Sequence, residues 1–415
     1  MSKRRWYGLT LFIGFLVLLI SASVRALPAT FVLPWQQSFN WSRGAESAVI
    51  AIGTLLFGLI GPFSAAFLQR YGARKVGSVA LLILVIVTAI LPFMHQLWQA
   101  ALLVGLLSGT MTGMIADVFG IYIANNWFKK NHGLVLGLFT ASSSVGQLVV
   151  LPIFTTLIAH HGWRYTALVV AGGVFLVWLA NLLLMRDYPQ QVGLPILGKT
   201  QLTTPSYPAL DLRSVLMQPL QALRLALKSK VFWLLALPFF VCGASTSGLI
   251  GVHFIAAGHD YGLNAIHSAN ILAVMGVFDI CGSLLAGWLT EKIDSRLILA
   301  VTYGLRGIAL FLLPLAFHQG GLVLILYAIL FGLSWNATVS PTIKLISANF
   351  GLHRSGILFG WVFVGHQIGG ALMAYISGAV HDSVHSYVMA FFMAGFMCLI
   401  ATLLVIVVPQ PDLKK

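Results

Sequence analysis

Charge is the scarcest property of this chain. Only 8% of its 415 residues are Asp, Glu, Lys or Arg, while 59% are hydrophobic and the mean hydropathy is +0.93. So few charges cannot cover the surface of a water-soluble domain, which excludes that class. Carboxylates are rarer still, with ten Asp and Glu against 24 Lys and Arg and a net charge of +14. Cysteine is almost absent: Cys242, Cys281 and Cys398 stand far apart inside apolar segments. They read as small buried hydrophobes, without the spacing of a metal site or a disulfide framework. Also missing are a His/Glu metal motif, a nucleophile elbow and a phosphate-binding glycine loop. An enzyme is therefore not expected, nor a cofactor or a bound metal. The tail after Pro409 is too short to add a signalling domain, so a membrane sensor is not expected either.

Long apolar runs take the place of charge. About twelve of them approach or exceed the ~20 residues that cross a hydrocarbon core as helix. They cover roughly 8–34, 46–68, 76–95, 98–126, 133–159, 165–186, 231–257, 267–290, 297–317, 320–348, 356–380 and 385–409. The first is too long for a signal-peptide core and counts as a span. The basic residues then set the orientation. With Lys3, Arg4 and Arg5 inside, the connections on the same side carry Arg70, Arg74, Lys75, Lys129, Lys130, Arg186, Lys199, Arg213, Arg224, Lys228, Lys230, Lys292, Arg296 and Arg354, and the tail adds Lys414 and Lys415. The opposite side holds only Arg43 and Arg164. That asymmetry is the positive-inside pattern, and it places both termini in the cytoplasm. The net charge is thus a topology signal. No folded basic face exists for nucleic acid, which is excluded as a partner.

The spans divide six and six. Between them lies the longest polar stretch, 187–230, with Pro189, Pro195, Pro205, Pro208 and Pro219. Its first part reads as an extended or disordered linker, and Ser214 to Lys230 as an amphipathic helix on the inner leaflet. The expected units are therefore residues 1–186, the linker 187–230 and residues 231–415. Two short basic turns match between them: Gln69-Arg70-Tyr71-Gly72-Ala73-Arg74-Lys75 after span two and Glu291-Lys292-Ile293-Asp294-Ser295-Arg296 after span eight. Small residues precede both and let neighbouring helices approach closely. A six-plus-six chain with matched loops is one way secondary transporters are built.

The turn after span two resembles the major facilitator superfamily signature G-x-x-x-D-R-x-G-R-R through Arg70, Gly72, Arg74 and Lys75, with Gln69 where the signature has an acid. Glu291 offers an acidic counterpart in the second turn. Trp127-Phe128-Lys129-Lys130-Asn131-His132-Gly133 entering span five, Phe278-Asp279 in span eight, Phe39-Asn40-Trp41-Ser42-Arg43, Gly162-Trp163-Arg164 and Leu305-Arg306-Gly307 are similar to bacterial monocarboxylate-porter-like members. Val24-Arg25-Ala26 stands where that group has an acidic, glycine-rich signature, and Ser283 where it has an arginine. The resemblance implies an all-α membrane protein of twelve transmembrane helices in two six-helix halves, with alternating access between them. It also implies a cytoplasmic gate at Arg70, Gly72, Arg74 and Lys75.

Ionisable groups at bilayer depth cost at least about 2.5–3.5 kcal/mol on insertion scales and mark function by default. At ~1.5 Å per residue, Asp279 and Arg306 both fall near the midplane and are expected to form a charge pair, either proton-coupling or static. Arg25, in the outer half of span one, could grip a carboxylate by a two-pronged hydrogen bond, or reach for the headgroups. Asp117, toward the inner third of span four, is expected to neutralise a basic residue of the cytoplasmic gate or to bind a proton. Gln147, Thr246, Trp335, Asn336, His366 and Gln367 complete the expected substrate site, and His366 also suits proton coupling. Lys344, at the inner end of span ten, is expected to snorkel. The expected function is a monomeric secondary transporter of a bacterial inner membrane. It would take a small organic anion, a monocarboxylate by resemblance, with H+ as coupling ion and membrane lipid around it. The alternative is efflux of an amphipathic drug, toxin or metabolite by proton antiport.

Overall fold

In hydrocarbon every backbone N–H and C=O needs an internal partner, and a chain this apolar answers with helices. The computed structural model describes residues 5–130, 132–198 and 212–409. Lys3, Arg4, Lys199, Pro205, Pro208, Lys414 and Lys415 therefore lie outside the described residues. Twelve spans result, here α1 to α12. The first six are α1 (Arg5–Phe39), α2 (43–71), α3 (73–90), α4 (Leu97–Trp127), α5 (132–161) and α6 (163–184). The second six are α7 (Lys230–Asp260), α8 (Ala265–Thr290), α9 (Ser295–Gln319), α10 (Gly321–Phe350), α11 (Leu352–Val384) and α12 (Val388–Ile406). Apart from one isolated bridge, no β pairing occurs among the described residues.

Two of the sharp turns rest on glycine. Gly72, between α2 and α3, has φ +82° and ψ 161°, a region open to glycine alone, and an added Cβ would strike the Asp187 carboxylate. Gly162 makes the same turn between α5 and α6 at φ +80°. Lipid-facing positions stay apolar, as at Leu176, Leu284 and Leu403. The first and second six meet where α2 packs on α11, α5 on α8 and α1 on α7.

The start of the linker is more ordered than its composition suggests. Leu197 pairs with the turn after α4: Lys129 N and Lys130 N donate to its carbonyl at 2.8 and 2.9 Å, and its own N–H reaches Trp127 O at 3.0 Å. Trp127 Nε1 donates to Arg186 O at 3.1 Å. Backbone bonds, which composition does not report, hold this segment. The helix at the end of the linker spans Leu212–Ala226, beginning two residues before the expected start and ending four before the expected Lys230. It lies against α2 and α11, and Trp361 Nε1 donates to Pro219 O at 2.8 Å.

Candidate functional site

The spans are not uniform rods. α4 breaks at Ile115 and Ala116, so Asp117 opens a new helical segment at mid-depth. α5 and α7 each carry a widened π-type stretch, Val145–Val149 and Ala244–Ile250, and such stretches favour functional positions. α10 stops at Ser334 and restarts at Val339. Serine and asparagine stand at the α5, α7 and α10 irregularities, where their side chains compete with the helix for backbone groups.

Arg25 projects from α1 into the space between the two sets of spans. Its guanidinium donates to Gln147 Oε1 of α5 and lies over the Phe57 ring of α2, 4.6 Å from the centroid. No carboxylate forms an ion pair with it among the described residues. Asp117 is exposed to the same space, and Ser143 Oγ donates to it at 2.9 Å. Asp117, expected at the cytoplasmic gate, follows the break in α4 and meets Ser143, in the neighbourhood of Arg25.

Asp279 and Arg306 are both fully buried, and they do not pair. The expected ion pair is replaced by two contacts with the interruption of α10. Asp279 accepts from Asn336 N at 2.9 Å and Asn336 Nδ2 at 2.7 Å, and also from Ser144 Oγ of α5 at 3.0 Å and Ser283 Oγ at 3.3 Å. Arg306 donates to Ser334 O, to Trp335 O at 3.0 Å and to Cys242 Sγ at 3.0 Å. Each charge therefore meets the end of a half-helix with partial charge of the opposite sign: carbonyls for the cation, an N–H for the anion. The Asp279–Ser144 bond also ties α8 to α5 across the two sets of six.

Other expected residues divide. Asn336 is half-buried and held by Asp279. Trp335 is buried against Phe331, and Thr246 is buried with its hydroxyl donated to Cys242 O at 2.7 Å, so neither faces the Arg25 space. His366 lies between Phe239 and Phe363, with Nδ1 unpartnered, and the close approach of α7 to α11 beside it needs Gly243. Gln367 packs on Gly58 of α2, and its Oε1 has no partner. Cys242 touches Arg306 and is not a plain hydrophobe, while Cys281 is exposed on the outside of the bundle. Lys344 donates to Thr290 O, capping α8 instead of snorkelling.

At the linker end, Gly72 and Arg74 meet Asp187. Arg74 N donates to its carboxylate at 2.9 Å and Arg74 Nε to Leu182 O at 2.9 Å. Asp187, not Glu291, supplies the acid that Gln69 lacks. Burial raises its carboxyl above the ordinary value. Arg70 and Lys75 are exposed and form no ion pair among the described residues. The second turn is self-contained: Asp294 pairs with Arg296 at 2.6 Å, which lowers the Asp294 carboxyl.

The opposite end holds a cluster that the sequence reading missed. Arg43 grips Asp260 with two bonds of 2.7 Å and lies 2.9 Å from His381 Nε2. Asp382 accepts from Arg43 N at 3.1 Å and Gly44 N at 2.8 Å, capping the start of α2. These bonds join α2 to α7 and α11 and close that end. The available signal was scarcity: two of the ten acids, Asp260 and Asp382, stand within a few residues of span ends opposite Arg43.

The comparisons agree with this architecture. A family model described as Major Facilitator Superfamily matches residues 11–373 and 257–415. An uncharacterized MFS-type transporter, YcxA, of Bacillus subtilis is 27% identical over 356 residues, 85% of this chain and 83% of that protein. Monocarboxylate transporter 13 of Bos taurus is 24% identical over 362 residues, 85% and 77% of the two chains. Among solved structures, a D-xylose-proton symporter superposes with a TM-score of 0.74 at 14% identity over 98% of each chain, a likeness of fold alone.

Proposed function

Because this chain belongs to the Major Facilitator Superfamily it is a membrane transporter and not an enzyme, and we propose that it moves a small organic anion by proton-coupled alternating access. The observation that carries this reading is Arg25: a cation facing the central space, held by a neutral amide and an aromatic face, with no carboxylate paired to it. A guanidinium in that setting takes a carboxylate through two parallel N–H donors, and an organic acid would displace Gln147. Asp117 nearby disfavours multiply charged anions, which points to a monocarboxylate. The name of the Bos taurus relative is in keeping with that class.

Asp279 supplies the coupling in this reading. As a carboxylate it can accept all four of its hydrogen bonds, from Ser144, Ser283 and twice from Asn336. A proton on one oxygen turns an acceptor into a donor facing another donor. That weakens the tie to α5 and loosens the interruption of α10, so protonation and rearrangement of the two halves become linked. His366 is the second candidate for a proton, through its free Nδ1. With the positive-inside orientation, the closed Arg43 end faces the exterior and the linker the cytoplasm of a bacterial inner membrane, and the protein acts as a monomer.

The test is flux into proteoliposomes under an imposed pH gradient. Uptake of a monocarboxylate that rises with external acidity and collapses with an uncoupler is the expected result. Preference for neutral or cationic amphiphiles would replace this reading by efflux.

A further inference from the structure

Glu46 lies one turn into α2, three residues after Arg43, and is entirely without solvent exposure. Neither of its carboxylate oxygens has a donor within hydrogen-bond distance. The other acids at this end are served. Asp260 takes two bonds from Arg43, and Asp382 takes the N–H groups of Arg43 and Gly44. An ionised carboxylate sealed in protein without a donor is strongly disfavoured, so the closed end holds Glu46 with its proton.

The charged and titratable neighbours identify what happens on opening. On α2 itself there is Arg43; α7 brings His253 and Asp260; α11 brings His381 and Asp382, followed by His385 and then Tyr387 at the start of α12. The half of α4 nearest this end contains no titratable side chain, and that of α1 contains only Arg25, whose guanidinium is bound to Gln147 of α5. Arg43 is the one cation of the cluster itself that stays charged at every relevant pH, and its guanidinium grips α7 and α11. Opening must separate α2 from those two helices. Arg43 and Glu46 travel together, three residues apart on one helix face, where opposite charges can meet.

We propose that Glu46 is a proton-binding site of the gate at the Arg43 end, distinct from Asp279 and independent of what is carried. When the end opens, Arg43 leaves Asp260, and Glu46 gives up its proton to that side and takes Arg43 as partner. When the end closes, Arg43 returns to Asp260 and the Glu46 carboxylate binds one proton. Closure at this end thus consumes a proton, and acidity favours it.

Spin labels on Gln37→Cys and Ser383→Cys, with Cys281 replaced by Ser and with Asp279→Asn silencing the other proposed proton site, report the separation of the two sides in lipid nanodiscs without substrate. From about pH 9 to about pH 5, the closed-to-open ratio should rise by up to tenfold per pH unit, the slope of one proton per closure. Glu46→Gln, which imitates the protonated acid, should stay closed throughout that range. His381→Gln should keep the pH dependence. A wild-type distance distribution that does not move with pH overturns the proposal without any need of a variant. So does a pH dependence that survives in Glu46→Gln, or one that His381→Gln removes.

Discussion

Arg25 and Arg306 are both guanidiniums set near the middle of membrane helices, and each lies over an aromatic ring, yet their hydrogen-bond partners differ. Arg25 faces the central space, touches one side-chain amide and one ring, and has no acid bound to it. Arg306 is wholly enclosed, and its N–H groups go to backbone carbonyls at the end of a half-helix, to serine and to a thiol. A buried charge whose bonds are all made is part of the scaffold. One whose partners are weak, and which faces a space, is available to a ligand. Depth in the membrane does not separate the two; the identity of the acceptors does.

The sharpest way to break this comparison is to remove each charge. Arg306→Leu strands the Ser334 and Trp335 carbonyls, at about 1–3 kcal/mol for each hydrogen bond left unmade. Thermal unfolding in detergent should show a large loss of stability, and the surviving folded fraction should keep its affinity for substrate. Arg25→Gln should behave in the opposite way, folded but binding substrate more weakly.

A second test concerns the partner of Arg306. An ion pair with Asp279 would let the double change Asp279→Asn/Arg306→Gln recover stability lost by either single change. The geometry predicts no such recovery, because each residue holds its own side of the α10 interruption. A double variant more stable than both singles, measured by unfolding, would restore the direct pair.

A smaller effect is expected at the linker end. Gly72→Ala places a side chain where the backbone has φ +82° and where Asp187 already sits, costing about 1–3 kcal/mol. Unfolding should register it, while Gly61→Ala, whose new methyl meets nothing within 4 Å, should be close to neutral.

These contrasts also show how far the residue order can be read. The twelve spans were legible because lipid demands unbroken apolar runs, and α8, expected over 267–290, occupies Ala265–Thr290. Arg25, Gln147 and Asp279 were legible as polar groups at costly depth, and the structure gives each a specific partner. The rest was hidden by distance along the chain. Arg43 meets Asp260 across 217 residues and Asp382 across 339, and no local pattern announces such pairs. The interruption of α10 had a signal in Pro341, whose missing N–H falls in the first turn of the restarted helix, but nothing local showed that Arg306 and Asp279 would take the freed peptide groups. Without that interruption in view, two opposite charges at one depth look like an ion pair.

The central claim is that Arg25 is the ligand for a carboxylate, and affinity measures it most directly. Purified protein in nanodiscs should be titrated with a short monocarboxylate and with its uncharged amide. Wild type should bind the acid and not the amide. Arg25→Lys, which keeps the charge but loses the planar fork, should bind the acid more weakly. Arg25→Gln should lose about 1.5–3 kcal/mol, roughly ten- to a hundredfold, with its unfolding temperature little changed. Unaltered affinity for the acid in a folded Arg25→Gln protein would contradict the account.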